Sequence, residues 1–218
     1  MVTKAAPMEV LNGALLSDSH IAGNRGSPYL KVAQAGEDRV EWLTLIEEAL
    51  VLLGIRTTGV KITNRINYYT RKQYRHCELL SRAHPMIKAL RAEWYPNGQK
   101  RVPKNLALTP GVVAHWFIGD GSSTRLKGRE HYVKSAFCTQ GFPDDDVYLL
   151  ASMLLDELDI RANCNRVSRI NGEGLVLNIS AVDEVNKLMD AVEPYMLPSF
   201  IYKIKRAFWE RTEMLQQA

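Results

Sequence analysis

Two aspartates end two copies of one pattern. The first copy reads Val10-Leu11-Asn12-Gly13-Ala14-Leu15-Leu16-Ser17-Asp18 and the second Val112-Val113-Ala114-His115-Trp116-Phe117-Ile118-Gly119-Asp120. Each is an apolar helical stretch with a small residue, Ser17 or Gly119, just before the acid. Two such helices can lie close together and bring their terminal carboxylates side by side. Carboxylates held that way need a metal ion or a shared proton between them. A purely structural place for either acid is disfavoured, because a carboxylate at a helix C-terminus opposes the macrodipole.

The repeat runs well past the two motifs. After Asp18 come Gly23-Asn24-Arg25-Gly26, the alternating Tyr29-Leu30-Lys31-Val32-Ala33-Gln34 and an acidic stretch ending Gly54-Ile55-Arg56. After Asp120 come Arg125, Lys127 and Arg129, then Val133-Lys134-Ser135-Ala136-Phe137-Cys138-Thr139-Gln140 and an acidic stretch ending Asp159-Ile160-Arg161. Asp18 to Asp120, Gln34 to Gln140 and Ile55 to Ile160 are offset by 102, 106 and 105 residues. A drift that small fits one supersecondary unit, duplicated, with short loop insertions. The halves divide at residues 1–98 and 99–218.

The 218 residues, 46% hydrophobic and 24% charged, are enough for a sizeable core. No apolar run reaches the roughly 20 residues that span a bilayer, and the N-terminus has no signal-peptide pattern. Three cysteines, Cys77, Cys138 and Cys164, without CxxC spacing argue against a disulfide framework or a thiolate zinc site. The expected setting is intracellular and reducing: a prokaryotic cytoplasm or an organelle matrix. Net charge is only +4, but between Arg56 and Asn105 twelve Lys or Arg face two Glu. A local excess of that size is the electrostatic footprint of a protein that binds a polyanion.

Periodicity predicts an αββαββα order in each half. A motif helix over Met8–Asp18 leads to strands near Gly26–Gln34 and Val60–Tyr69, with a helix near Asp38–Leu53 between them. The second motif helix opens at Thr109-Pro110, a good cap and first-turn pair. Strands near His131–Thr139, Ala162–Ile170 and Leu175–Ile179 follow, with a helix near Asp144–Leu158 and a hairpin turn at Asn171-Gly172. Helices near Ala83–Trp94 and Val182–Val192 close the halves. Apolar and basic positions alternate along the strands, giving each sheet one core face and one polar face.

The second copy, Leu108-Thr109-Pro110 with Trp116-Phe117-Ile118-Gly119-Asp120-Gly121, and the tail Pro194-Tyr195-Met196-Leu197-Pro198 with Tyr202-Lys203 resemble the single-chain LAGLIDADG homing endonucleases. The resemblance covers roughly Met8 to Lys205. Asn12, Leu16, Ser19, His115 and Ile118 depart from the motif consensus, but both acids stand. The resemblance implies an α+β fold of two pseudo-symmetric αββαββα halves, with antiparallel saddle-shaped sheets and the motif helices packed at the interface. It also implies a monomer that cuts both strands of a long, non-palindromic DNA duplex.

In that frame Asp18 and Asp120 hold the divalent metal. Mg²⁺ suits hard oxygen ligands best, and Mn²⁺ or Ca²⁺ can occupy the same site. Lys100 and Lys203, offset by 103 residues, stand where the family places basic residues near the active sites, and an ammonium there can stabilise phosphorane charge. Gln34 and Gln140 resemble the polar residues that position solvent. DNA contacts are expected from Asn24, Arg25, Tyr29, Lys31, Lys61, Arg65, Asn67, Arg71, Lys72 and Arg75 in the first half. In the second they are expected from Arg125, Lys127, Lys134, Asn163, Asn165, Arg166, Arg169 and Asn178. Two other readings of the fold stand beside this one: a maturase that binds intron RNA, and a catalytically inactive DNA-binding regulator.

Overall fold

A computed structural model describes residues 3–23, 26–36, 39–169 and 172–208. The first half runs α1 (Pro7–Leu16), β1 (Ser19–Ala22), β2 (Tyr29–Ala35), α2 (Val40–Leu52), β3 (Lys61–Ile66), β4 (Gln73–Leu80) and α3 (Pro85–Trp94). The second runs α4 (Pro110–Asp120), β5 (Gly121–Leu126), β6 (Arg129–Phe137), α5 (Asp144–Leu158), β7 (Asn163–Arg169), β8 (Gly172–Ile179) and α6 (Val182–Val192). Single 3₁₀ turns, Glu193–Tyr195 and Pro198–Lys203, follow α6. Each half has the expected αββαββα order and one four-stranded antiparallel sheet, β1-β2-β4-β3 and β5-β6-β8-β7.

The strands differ from the sequence reading in three places. β1 and β5, which follow the two aspartates directly, and β4 are not among the strands read from the sequence. β8 starts at Gly172, which pairs with Arg169, three residues ahead of the expected strand start, and residues 170–171, where the expected turn falls in part, lie outside the described residues. The helices end where local chemistry stops them. Thr109 caps α4 by accepting the Val112 N–H at 3.3 Å, with Pro110 in the first turn. Asp159, in the left-handed region at φ 53°, ends α5.

The motif helices cross through a stripe of small residues. A Cβ added to Gly13 would come within 2.5 Å of His115 Cβ and of the Val112 carbonyl oxygen, and one on Gly111 would come within 2.8 Å of Glu9 Oε2. A Cβ on Gly119 would collide with the Ser17 side chain. The pairs 9 and 111, 13 and 115, and 17 and 119 share the 102-residue offset of the two aspartates, so each residue packs on its own repeat counterpart. Self-contact of that kind marks a two-fold axis, and it places the helix ends that carry Asp18 and Asp120 on either side of that axis. The cores extend outward from the crossing. Trp116 stacks on Phe137 with ring centroids 4.0 Å apart, and Trp42, Leu43 and Ile46 of α2 are fully buried. Burial pushes the His115 imidazole down to about 4, so it sits neutral between the helices.

Candidate active site and nucleic-acid face

Asp18 lies in the turn after α1 and Asp120 is the last residue of α4. Their surroundings differ. Asp18 is exposed and accepts a short hydrogen bond from Gln34 Nε2 on β2, while the buried Gln34 Oε1 is left without a partner. Asp120 is half-buried, and its carboxyl is pushed up to about 7. Burial is the main cause and the Asp18 carboxylate the next, opposed by Lys100 and Lys203. The two acids and two lysines therefore share one electrostatic field.

Each lysine lies against the end of one motif helix. Lys100 Nζ donates to the carbonyls of Ser17 at 3.3 Å and Ser19 at 2.9 Å. Lys203, 7% exposed, donates to Phe117 at 3.0 Å, Ile118 at 2.7 Å and Gly121 at 2.7 Å, with Gly119 at 3.5 Å. Ile118 and Gly119 are in the last turn of α4 and Ser17, Ser19 and Gly121 lie at or just past a helix end, so each ammonium sits on a helix C-terminus while standing beside the acid. Burial pulls both lysines down to about 8, with the two aspartates acting against it.

Strand register corrects one expected equivalence. Ser19 pairs with Val32 and Gly121 with Phe137, so two residues further on the counterpart of Gln34 is Thr139, not Gln140. Thr139 is fully buried and donates its hydroxyl to the Leu175 carbonyl at 2.8 Å. Gln140 lies in the turn after β6, with no side-chain hydrogen bond among the described residues. The residue facing Asp120 across the ladder is Cys138, an exposed cysteine whose N–H donates to the Asp120 carbonyl at 3.1 Å. The sequence reading did not single it out.

Register also sorts the expected DNA contacts by face. Lys61, Arg65, Tyr29 and Lys31 share one face of the first sheet with His20 and Glu78, and Glu78 lies 3.3 Å from Lys31 and 3.9 Å from Arg65. Arg75 pairs with Asn64 and so points to the other face. Every residue of β3 is exposed, and Tyr68, Tyr69, Arg71 and Lys72 crown the turn beyond it. Asn67 holds that turn, its Oδ1 accepting the N–H groups of Tyr69 at 3.0 Å and Thr70 at 2.9 Å.

In the second sheet Asn163, Asn165, Lys134 and Asn178 share a face, although Asn178 is buried and bonded to Asn165. Lys127 is exposed in the β5–β6 turn, and Arg125 lies on the opposite face, paired with Val133. Arg166 is on that opposite face too, pairing with Leu175 and bonded to Asp144 at 2.6 Å at the start of α5. Asn24 and Arg25 lie outside the described residues, as does the Arg169 side chain.

The model of the LAGLIDADG DNA endonuclease family matches residues 8–190. The chain belongs to the LAGLIDADG DNA endonuclease family. Among curated relatives it is 27% identical over 199 residues to an uncharacterized protein of Methanocaldococcus jannaschii, covering 89% of this chain and 72% of that one. It is 23% identical over 202 residues to cytochrome b mRNA maturase bI2 of Debaryomyces hansenii, covering 90% and 72%. Its fold is similar to that of the homing endonuclease I-WcaI bound to its DNA recognition sequence, with TM-score 0.76, 18% identity, and 94% and 89% of the two chains covered. It is also similar to I-DmoI in complex with DNA and Ca, with TM-score 0.51, 12% identity, and 97% of each chain covered.

Proposed function

We propose that the protein is a site-specific double-strand DNA endonuclease acting as a monomer on a long, non-palindromic duplex. Asp18 and Asp120 would hold a divalent ion, Mg²⁺ by preference. The observation that carries this reading is the meeting of two carboxylates and two lysines at the pseudo-two-fold axis, at the ends of helices packed residue on repeat counterpart. The residues fit such an ion. Among the described residues no group of three or more His, Cys, Asp or Glu could hold a metal. Mg²⁺, however, commonly takes one or two carboxylates and fills its shell with water and substrate phosphate. Burial and the neighbouring Asp18 carboxylate raise the Asp120 carboxyl to about 7, so the pair favours a positive charge beside it, and the buried Gln34 Oε1, which lacks a partner, would be available to orient water at the site. When bound, the ion would neutralise charge developing on the scissile phosphate and help activate water.

The chain's own residues do the rest. Lys100 and Lys203 set positive charge beside the two acids, where the phosphorane oxygens would form. Lys31, Lys61, Arg65, Lys134, Asn163 and Asn165, on the polar faces of the two sheets, would reach base edges or phosphates. Lys72 and Arg71 would hold the backbone from the turn of the first ribbon.

Incubation of the purified protein with duplex DNA flanking the insertion point of its own gene, with and without Mg²⁺, tests the proposal. Metal-dependent cutting of both strands at one position is the expected result, and no cutting at any divalent-ion concentration overturns it. The likeness to a maturase gives a second reading, binding of intron RNA, which splicing with and without the protein would detect.

A further inference from the structure

Both active-site lysines ride on irregular segments, and each segment is fastened by an acid from the first turn of a long helix. Lys100 meets the end of α1, but the residues after it are held by α5. Asp146, 4% exposed, accepts from Arg101 Nε at 2.8 Å, from Arg101 Nη2 at 2.9 Å and from the Val102 N–H at 2.9 Å. Lys203 meets the end of α4, but its 3₁₀ turn is held by α2. Glu41 accepts the Ser199 N–H at 3.0 Å and the Ser199 hydroxyl at 2.5 Å. Arg39, just ahead of α2, reinforces the hold, with its guanidinium 4.8 Å from the Phe200 ring centroid and 3.4 Å from the Tyr202 hydroxyl.

Glu41 and Asp146 are 105 residues apart, the offset already seen for Ile55 and Ile160, so they are repeat counterparts. The fastening crosses over. The lysine at the first half's motif helix is set by the second half's long helix, and the reverse.

From this crossing we infer that Glu41 and Asp146 are positioning residues, each half fixing the lysine that completes the other half's catalytic centre. The inference rests on the nuclease reading above. A lysine side chain is a flexible stem with many rotamers and cannot aim itself. Its placement here comes from the backbone that bears it. A carboxylate in the first turn of a helix is a firm anchor for that backbone, since the macrodipole favours it and its hydrogen bonds to a guanidinium are charge-assisted. Displacement of a catalytic group by about 1 Å can cost on the order of a hundredfold in rate.

The crossed arrangement makes a prediction that general loosening of the fold does not. A duplex labelled on each strand and cut under single-turnover conditions by excess full-length protein reports the two nicking rates separately. Glu41→Gln and Ser199→Ala should slow one strand by about tenfold or more, and Asp146→Asn and Arg101→Ala should slow the other, with DNA affinity unchanged. Because Asp146 is buried, Arg101→Ala, from the half-exposed end of the same ion pair, covers the case in which Asp146→Asn fails to fold. Equal slowing of both strands by all four variants overturns the inference, as does unchanged nicking in folded variants. If the wild-type protein itself nicks neither strand, the nuclease reading fails first, and the positioning role falls with it.

Discussion

The two halves of the site hold the same parts in unlike surroundings. On the first side Asp18 is exposed and tied to Gln34, and Lys100 donates to two carbonyls. On the second Asp120 is half-buried and retains its proton to about pH 7, Thr139 turns away to Leu175, and Lys203 donates to four carbonyls. The outlying ribbons differ as well. β3 is exposed along its whole length, whereas Arg166 of β7 is drawn to Asp144 at the start of α5. Duplication has preserved the backbone positions of the acids and lysines while their solvation has diverged. Two chemically unequal centres follow from one repeated unit.

The largest test of that inequality removes the acids in turn. Asp18→Asn and Asp120→Asn should each lower double-strand cleavage by about 10²-fold or more while leaving specific binding nearly intact. Full plasmid cutting by either variant would refute the paired-acid site.

The lysines come next. Lys203→Met strips a donor from four carbonyls, of which Phe117 keeps the Gly121 N–H, and Lys100→Met from two; the first should lower the melting temperature more, each buried acceptor left without a donor costing about 1–3 kcal/mol. Equal melting shifts would show that the deeper burial of Lys203 has no energetic consequence.

Gln34→Ala and Thr139→Val sharpen the comparison further. The first should slow nicking of one strand by roughly tenfold with little loss of stability, as removal of a positioning contact does. The second should lower stability and leave strand preference alone; a shift in strand preference would show that Thr139 reaches the reacting groups after all.

Smaller again is the pH effect. Because the Asp120 carboxyl is raised to about 7, below that pH a bound cation must displace its proton. Calorimetry of Mg²⁺ binding in buffers of different ionisation enthalpy should show more proton release at pH 6 than at pH 8; equal release would contradict the raised value. In the first ribbon, each of Lys61 and Arg65 that touches phosphate should reduce the slope of log K against log salt by about 0.9 when changed to Ala. Arg75→Ala, on the other face, should not.

Much of this could be read from the sequence, for identifiable reasons. The motif helices, their acids and the order αββαββα show because the repeat places matching chemistry at a nearly constant offset. β1 and β5 do not show. They are four and six residues long and mostly small or polar, with Gly121-Ser122-Ser123-Thr124 giving no apolar alternation. β4 does not show either: its first three residues are exposed, where the ribbon extends past the core, neither face is buried and the pattern loses its cause. Gln34 and Gln140 read as counterparts because both end matching apolar runs at an offset of 106 residues, whereas hydrogen-bond register decides the counterpart. Glu41 and Asp146 escaped notice because an acid in the first turn of a helix already has a sufficient local explanation.

The glycine-and-serine stripe between α1 and α4 has a consequence during synthesis. At about 5–20 residues per second, the hundred or so residues separating the two helices take on the order of 5–20 s to emerge. For that interval the first half has α2 and its own sheet to pack against, but Gly13 and Ser17 face no partner. The bare stripe is nearly self-complementary, so a second nascent chain on the same message could dock there in place of α4. Covalent fusion answers that hazard, since the tethered second half arrives at an effective concentration in the millimolar range, far above that of any neighbouring chain.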